Sequence, residues 1–178
     1  MGIKTIELSI FVLCSLAIVF LSRDSLRDRH SYGYYRFFAF EFILLLLLVN
    51  YHWWFENPFS LTQILSWLAL SASLILVVTG FRLLGFSRAA GAEKIPLVLV
   101  QNGVYAHIRH PLYSSLVFLA LGTFLKKPSL FSAILLFGAS FSLNATARTE
   151  ENVNAAKFGE SYREYMGKTK KMFIPFLY

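Results

Sequence analysis

Cysteine is almost absent: Cys14 is the only one, and it lies inside an apolar run. That excludes a disulfide framework and a thiolate metal site, and the residue reads as a small packed hydrophobe. Charge is also scarce, at 15% of the chain, with 10 acidic residues against 17 Lys and Arg. No G-x-G-x-x-G is present, which excludes a soluble dinucleotide fold. Gly80 to Gly85 has phosphate-loop spacing but lacks the Lys and Ser or Thr that grip phosphate, so these glycines read as helix packing. Internal repeats and low-complexity stretches are missing too.

Hydrocarbon takes their place. Of 178 residues 56% are hydrophobic, and the mean hydropathy of +0.55 exceeds what a soluble domain of this length needs. Apolar segments run over 6–22, 37–55, 61–81, 112–125 and 130–147, most of them near the roughly 20 residues a spanning helix requires. The expected fold is an all-α integral membrane domain covering 1–178, with five transmembrane helices and a helical tail over 148–178. The fourth segment is short, so it either recruits part of the basic loop before it or sits in a thinned bilayer. Lys126-Lys127-Pro128-Ser129 reads as the tight hairpin between helices four and five. Leu8 to Leu21 follows Lys4 as a secretory signal would, but no small-x-small cleavage site comes after it, so it reads as a retained helix.

The net charge of +7 and pI near 9.6 do not point to nucleic acid. The basic residues are scattered at the ends of apolar runs, where anionic lipid headgroups attract them. All but Lys4, Lys126 and Lys127 of the 17 Lys and Arg fall on one side of the expected helices. The positive-inside rule puts that side in the cytoplasm, with the N-terminus outside and the C-terminus inside. Tyr51, Trp53, Trp54 and Phe55 match an aromatic belt at the outer interface. Glu41 reads as an intramembrane functional carboxylate, or as a group that snorkels to the interface or pairs with Arg36.

The polar chemistry gathers in QNGVYAHIRHPLY, Gln101 to Tyr113. Asn102-Gly103 signals a turn and Pro111 suits the first turn of a helix, so the segment is a loop feeding helix four. The connection from Arg82 to His110 is long, and long loops in compact domains are usually functional. His107 and His110 have metal-ligand spacing, but no third ligand is evident and Pro111 breaks the geometry, so no metal is expected. In the tail, Glu151, Ala155, Phe158, Tyr162 and Tyr165 fall on one helical face, and Gly159 is placed to kink or interrupt that helix. Arg148-Thr149-Glu150-Glu151, taken alone, reads equally as a solvated helix end.

RHPLY at Arg109 to Tyr113, RTEEN at Arg148 to Asn152, KFGESYREY at Lys157 to Tyr165 and a final Phe173-Ile174-Pro175 occur in this order. Together they resemble the isoprenylcysteine carboxyl methyltransferase family and the related integral-membrane phospholipid methyltransferases. The resemblance covers the chain from the Gln101 stretch onward; the first three helices match by hydropathy alone. It implies an S-adenosylmethionine-dependent methyltransferase with a cytoplasmic cofactor pocket between the loop before helix four and the tail. Val100, Gly103, Tyr105, Arg109, His110, Tyr113, Glu150 and Phe158 are implied to bind the cofactor, and Arg148 and Glu151 to lie nearest the transferred methyl. Pro111, Gly159, Tyr162 and Tyr165 also fall on the family pattern. Ser115 departs from it, standing where members carry Gly or another very small residue, and Val104 stands where Pro is frequent.

The implied acceptor is lipidic or prenylated and reaches the site from the membrane. A carboxylate acceptor needs no general base, and Arg148 would hold it; an amine, as in phospholipid N-methylation, needs one, and Glu151 is the candidate. A non-catalytic membrane scaffold and a small transporter are the readings from other classes. The charge distribution makes a direct prediction: a cysteine introduced at Asn57 is labelled by an impermeant reagent added outside intact cells, and one at Lys168 is not. Labelling in the opposite pattern reverses the orientation.

Overall fold

The computed structural model describes residues 2–90 and 99–173. Part of the long loop, with Lys94, and Ile174-Pro175 of the C-terminal motif lie outside the described residues. Among the described residues six α-helices follow one another: α1 Gly2–Leu26, α2 Tyr32–Asn50, α3 Leu61–Ala90, α4 Pro111–Lys126, α5 Leu130–Phe158 and α6 Glu160–Lys168, with 3-10 turns at Tyr51–Trp53 and Gly103–Ala106. Among the described residues there is no strand. α1, α2, α3 and α5 are long and apolar enough to cross a membrane. α4 has 16 residues, about 24 Å at the helical rise, and is the shorter apolar helix of the set.

Local sequence explains the boundaries. Ser31 caps α2 by accepting from the Gly33 N–H, so α2 begins five residues before the expected Phe37. Pro111 opens α4, and Ser129 caps α5 after the Lys-Lys-Pro turn. The expected end of helix five at 147 is corrected: α5 runs on to Phe158, because nothing between the two points breaks a helix. Gly159 stops it at φ +59°, a left-handed conformation that glycine adopts without a Cβ penalty.

α2 packs on α5, α3 on α4, and both α2 and α5 touch α4, while α1 rests on α2. The α2–α5 core holds Ala39, Ile43 and Leu46 against Leu135, Ala139 and Leu143, with Ala120 of α4 beside them. α3 and α4 run antiparallel along a seam of small residues. Ser66 Oγ donates to the Gly122 carbonyl at 2.7 Å, Ser73 Oγ donates to that of Ser115 at 2.7 Å, and Gly80 faces Leu112. These α3 positions repeat every seven residues, two helical turns, so the same stripe meets α4 at each step. Small residues let the backbones approach, and the hydroxyls bond across the seam. Glu41 accepts from Ser15 Oγ of α1 at 3.0 Å; it does not pair with Arg36.

At one end of the bundle Lys126 is 4% exposed. Its Nζ donates to Gln63 Oε1 at 2.9 Å and lies 3.6 Å from the Trp67 ring centroid, so the cation at the end of the short α4 is held by an amide and an aromatic face. The other end carries the loop before α4, the start of α2 and the C-terminal part of α5. A Cβ at Gly122 would lie 2.7 Å from Leu70 Cγ and 3.1 Å from the Ser66 carbonyl. Gly122→Val therefore costs about 1–3 kcal/mol by overpacking, read as a lower thermal midpoint in detergent. Gly85→Ala, where nothing lies within reach, does not lower it.

Candidate functional site

The site is built on Arg109. Its Nε donates to Glu151 Oε1 at 2.6 Å, and its Nη1 reaches the carbonyls of Thr169 at 2.8 Å and Lys170 at 2.7 Å. One guanidinium thus ties the loop before α4 to α5 and to the chain leaving α6. The backbones add a short extended pairing: the Arg109 N–H donates to Lys171 O at 3.0 Å and the His110 N–H to Met172 O at 3.1 Å. Ser114 Oγ donates to Phe173 O at 2.5 Å, and Tyr165 OH donates to Tyr105 O at 2.7 Å.

This framework turns His110 and Tyr113 inward. The His110 ring, 7% exposed, stacks on Tyr113 with centroids 5.5 Å apart, and its Nε2 lies 3.2 Å from Glu151 Oε1. Tyr113 OH donates to Glu150 Oε2 at 2.6 Å. Glu151 thus serves Arg109 and His110 Nε2, while Glu150 accepts from Tyr113 and lies 4.0 Å from His110 Nδ1. Burial, reinforced by the charge of Glu150, pushes the Tyr105 phenol up to about 12. Burial likewise takes Tyr162 up to about 12 against a lowering hydrogen bond from Asn154, and raises Tyr165. These three phenols stay neutral near neutral pH and act as hydrogen-bonding walls rather than bases.

They surround a cavity of about 690 Å³, within the roughly 300–1,000 Å³ range of small-molecule sites. Val100, Tyr105, Arg109, His110, Tyr113, Glu150 and Phe158 all line it. Gly103 does not: at φ +57° it opens the 3-10 turn that carries Tyr105, and a Cβ there would meet Leu83. Glu151 stands behind His110, outside the wall. Arg148 is exposed and also lies outside the lining, because α5 continues as a regular helix and directs it away. His107 is exposed while His110 is buried, and among the described residues no three His, Cys, Asp or Glu side chains gather as a metal site requires.

Sequence reading overlooked the wall supplied by α2 and α3. Tyr32, Arg36 and Phe40 of α2 and Val77, Phe81 and Leu84 of α3 line the same cavity, together with Asn154 and Lys157 of α5. Their spacings of four and three were legible as helix faces, but nothing in the sequence distinguished a cavity-facing stripe from a lipid-facing one. Comparison of the chain with protein-family models, curated proteins and solved structures returns no match.

The Arg109–Glu151 pair has side chains 10% and 14% exposed. Removing one partner of such a pair strands the other's charge, at a cost of about 3–5 kcal/mol. Arg109→Ala is expected to lower the thermal midpoint and to make the bonds after Lys168 and Lys170 susceptible to trypsin. Unchanged proteolysis would mean that the tail is held by its other contacts.

Proposed function

We propose that this protein is a membrane methyltransferase that uses S-adenosylmethionine to modify a lipidic acceptor, with α4 as a fifth, short span and the cavity facing the cytoplasm. One observation carries the reading: Arg109, His110 and Tyr113, Glu150, and Phe158, Tyr162 and Tyr165, which come from the separate motifs behind the family resemblance, all line one cavity. The wall chemistry suits the cofactor. A zwitterionic amino acid joined to adenosine wants an acidic partner for its ammonium, polar donors for its carboxylate and flat apolar walls. Glu150 offers the first, Asn154 and Lys157 the second, and Tyr105, Phe158 and Tyr162 the third.

When bound, the cofactor supplies a methyl group on a sulfonium; a bond forms from the acceptor oxygen or nitrogen to carbon as the carbon–sulfur bond breaks, and its electron pair stays on sulfur. The chain's contribution is alignment and water exclusion. The Arg109 clamp fixes the loop and tail, His110 and Tyr113 form one stacked wall, and Tyr113 orients Glu150. Arg148 is too exposed to hold an acceptor in this cavity. Glu151, engaged by Arg109 and His110, is a positioning residue rather than a base. A carboxyl acceptor suits this arrangement, since an ionised carboxylate needs no proton removed.

Calorimetric titration with S-adenosylhomocysteine tests the reading. The wild type is expected to bind, and Tyr113→Phe, which removes the phenol hydrogen bond that orients the charged Glu150 and is worth about 1.5–3 kcal/mol, to bind roughly ten- to a hundredfold more weakly. His110→Ala weakens binding as well, and Arg148→Ala leaves it unchanged. A wild type that binds nothing in several detergents would leave the scaffold reading in place.

A further inference from the structure

The cavity has two chemically different halves. The loop, α5 and α6 make the half lined by Tyr105, Glu150, Asn154 and Tyr162, while α2, α3 and α4 make the other with Phe40, Val77, Phe81, Leu84 and Leu116. α2 and α3 both pack on α4 but make at most marginal contact with each other. The second half is thus a cleft between two membrane-length helices with α4 as its floor. A single cation stands among its side chains: Arg36, whose guanidinium carbon lies 5.4 Å from the Tyr32 ring centroid and which also bears on the Tyr113 phenol.

Among the described residues Arg36 forms no ion pair. Glu41 of its own helix accepts from Ser15 and Glu150 accepts from Tyr113, and neither carboxylate lies within ion-pair distance, 4.0 Å, of the guanidinium. A guanidinium at the polar end of an apolar cleft, without an ion-pair partner among the described residues, matches an amphiphile with an oxyanion head and a hydrocarbon tail. Five donors in a planar fork suit a carboxylate or phosphate ester bidentately.

We infer that Arg36 is the acceptor-side anchor, holding the oxyanion head of a single-chain amphiphile beside Tyr113 while its tail lies in the α2–α3 cleft over Phe40, Val77 and Phe81. This rests on the methyltransferase reading in one respect, that the amphiphile is the methyl acceptor; the binding site itself stands on Arg36 and the cleft.

The test is displacement of a pyrene-labelled fatty acid from the full chain in phosphatidylcholine nanodiscs, using hexadecanoate, hexadecyl phosphate and hexadecyltrimethylammonium as competitors. The wild type is expected to prefer hexadecanoate over the cationic amphiphile by about tenfold or more, Arg36→Gln to abolish that preference, and Arg36→Lys to keep part of it. S-adenosylhomocysteine affinity is expected to be unchanged in Arg36→Gln. Hexadecyl phosphate binding as well as hexadecanoate supports the site with a lipid phosphate as the head it takes; weaker binding supports it with a carboxylate. Equal affinity for anionic and cationic amphiphiles in the wild type overturns the inference without any variant. So does a preference that survives Arg36→Gln, or a loss of S-adenosylhomocysteine affinity with amphiphile binding intact, which would put Arg36 on the cofactor side. Anion preference without S-adenosylhomocysteine binding would sink the methyltransferase reading and support the oxyanion site.

Discussion

Everything at the polar end of this bundle depends on the guanidinium of Arg109. Its bonds to Glu151 and to the carbonyls of Thr169 and Lys170 tie the loop before α4 and the chain leaving α6 to the packed helix α5. Among the described residues, 99–110 before α4 carry only a short 3-10 turn, and 169–173 after α6 have no regular structure. Ordering such segments costs on the order of 1–2 kcal/mol per residue in backbone entropy. A charge-assisted cluster, partly shielded from water, offsets that cost better than neutral contacts would, and it presents His110 and Tyr113 to the cavity in one arrangement.

The α3–α4 seam does the corresponding work within the bundle. In lipid the surroundings are as apolar as the side chains, so helices associate through close packing and interhelical bonds rather than by hiding hydrocarbon from water. Ser66, Ser73 and Gly80 present the small surface this requires, and their partners Gly122, Ser115 and Leu112 follow in the reverse order along α4. Ser115, the departure from the family pattern, belongs to this seam: its carbonyl accepts from Ser73 and its own hydroxyl turns back to Leu112 O at 2.7 Å. The hydroxyl is satisfied within α4, so α3 still approaches closely.

Placement of α4 also explains why a cavity exists. α2 and α3 are both attached to α4 and scarcely to each other, so a space remains between them on its other side. Arg36 and Tyr32 stand at the polar end of that space, with Phe40 one helical turn further along α2 and Val77 one turn deeper on α3 than Phe81. In the proposed function, the water-soluble cofactor and the amphiphile would approach one point from different phases.

Much of the fold was determined by the sequence alone. Hydropathy set the apolar helices, Pro111 and Ser129 set where α4 and α5 begin, and Gly159 set the break before α6, because these effects act within a few residues along the chain. The grouping of Arg109, His110 and Tyr113 with the tail was legible through the resemblance of the motifs. Tertiary structure decided which neighbours do which work. With α5 continuous past Ala147, successive residues turn by roughly 100°: Glu150 enters the cavity, Glu151 meets Arg109, and Arg148 points to the exterior. Arg36 was hidden for the same reason. Periodicity shows that Tyr32, Arg36 and Phe40 share a face, but what that face meets depends on how α2 and α3 are spaced across α4, a relation between distant segments that no local pattern encodes.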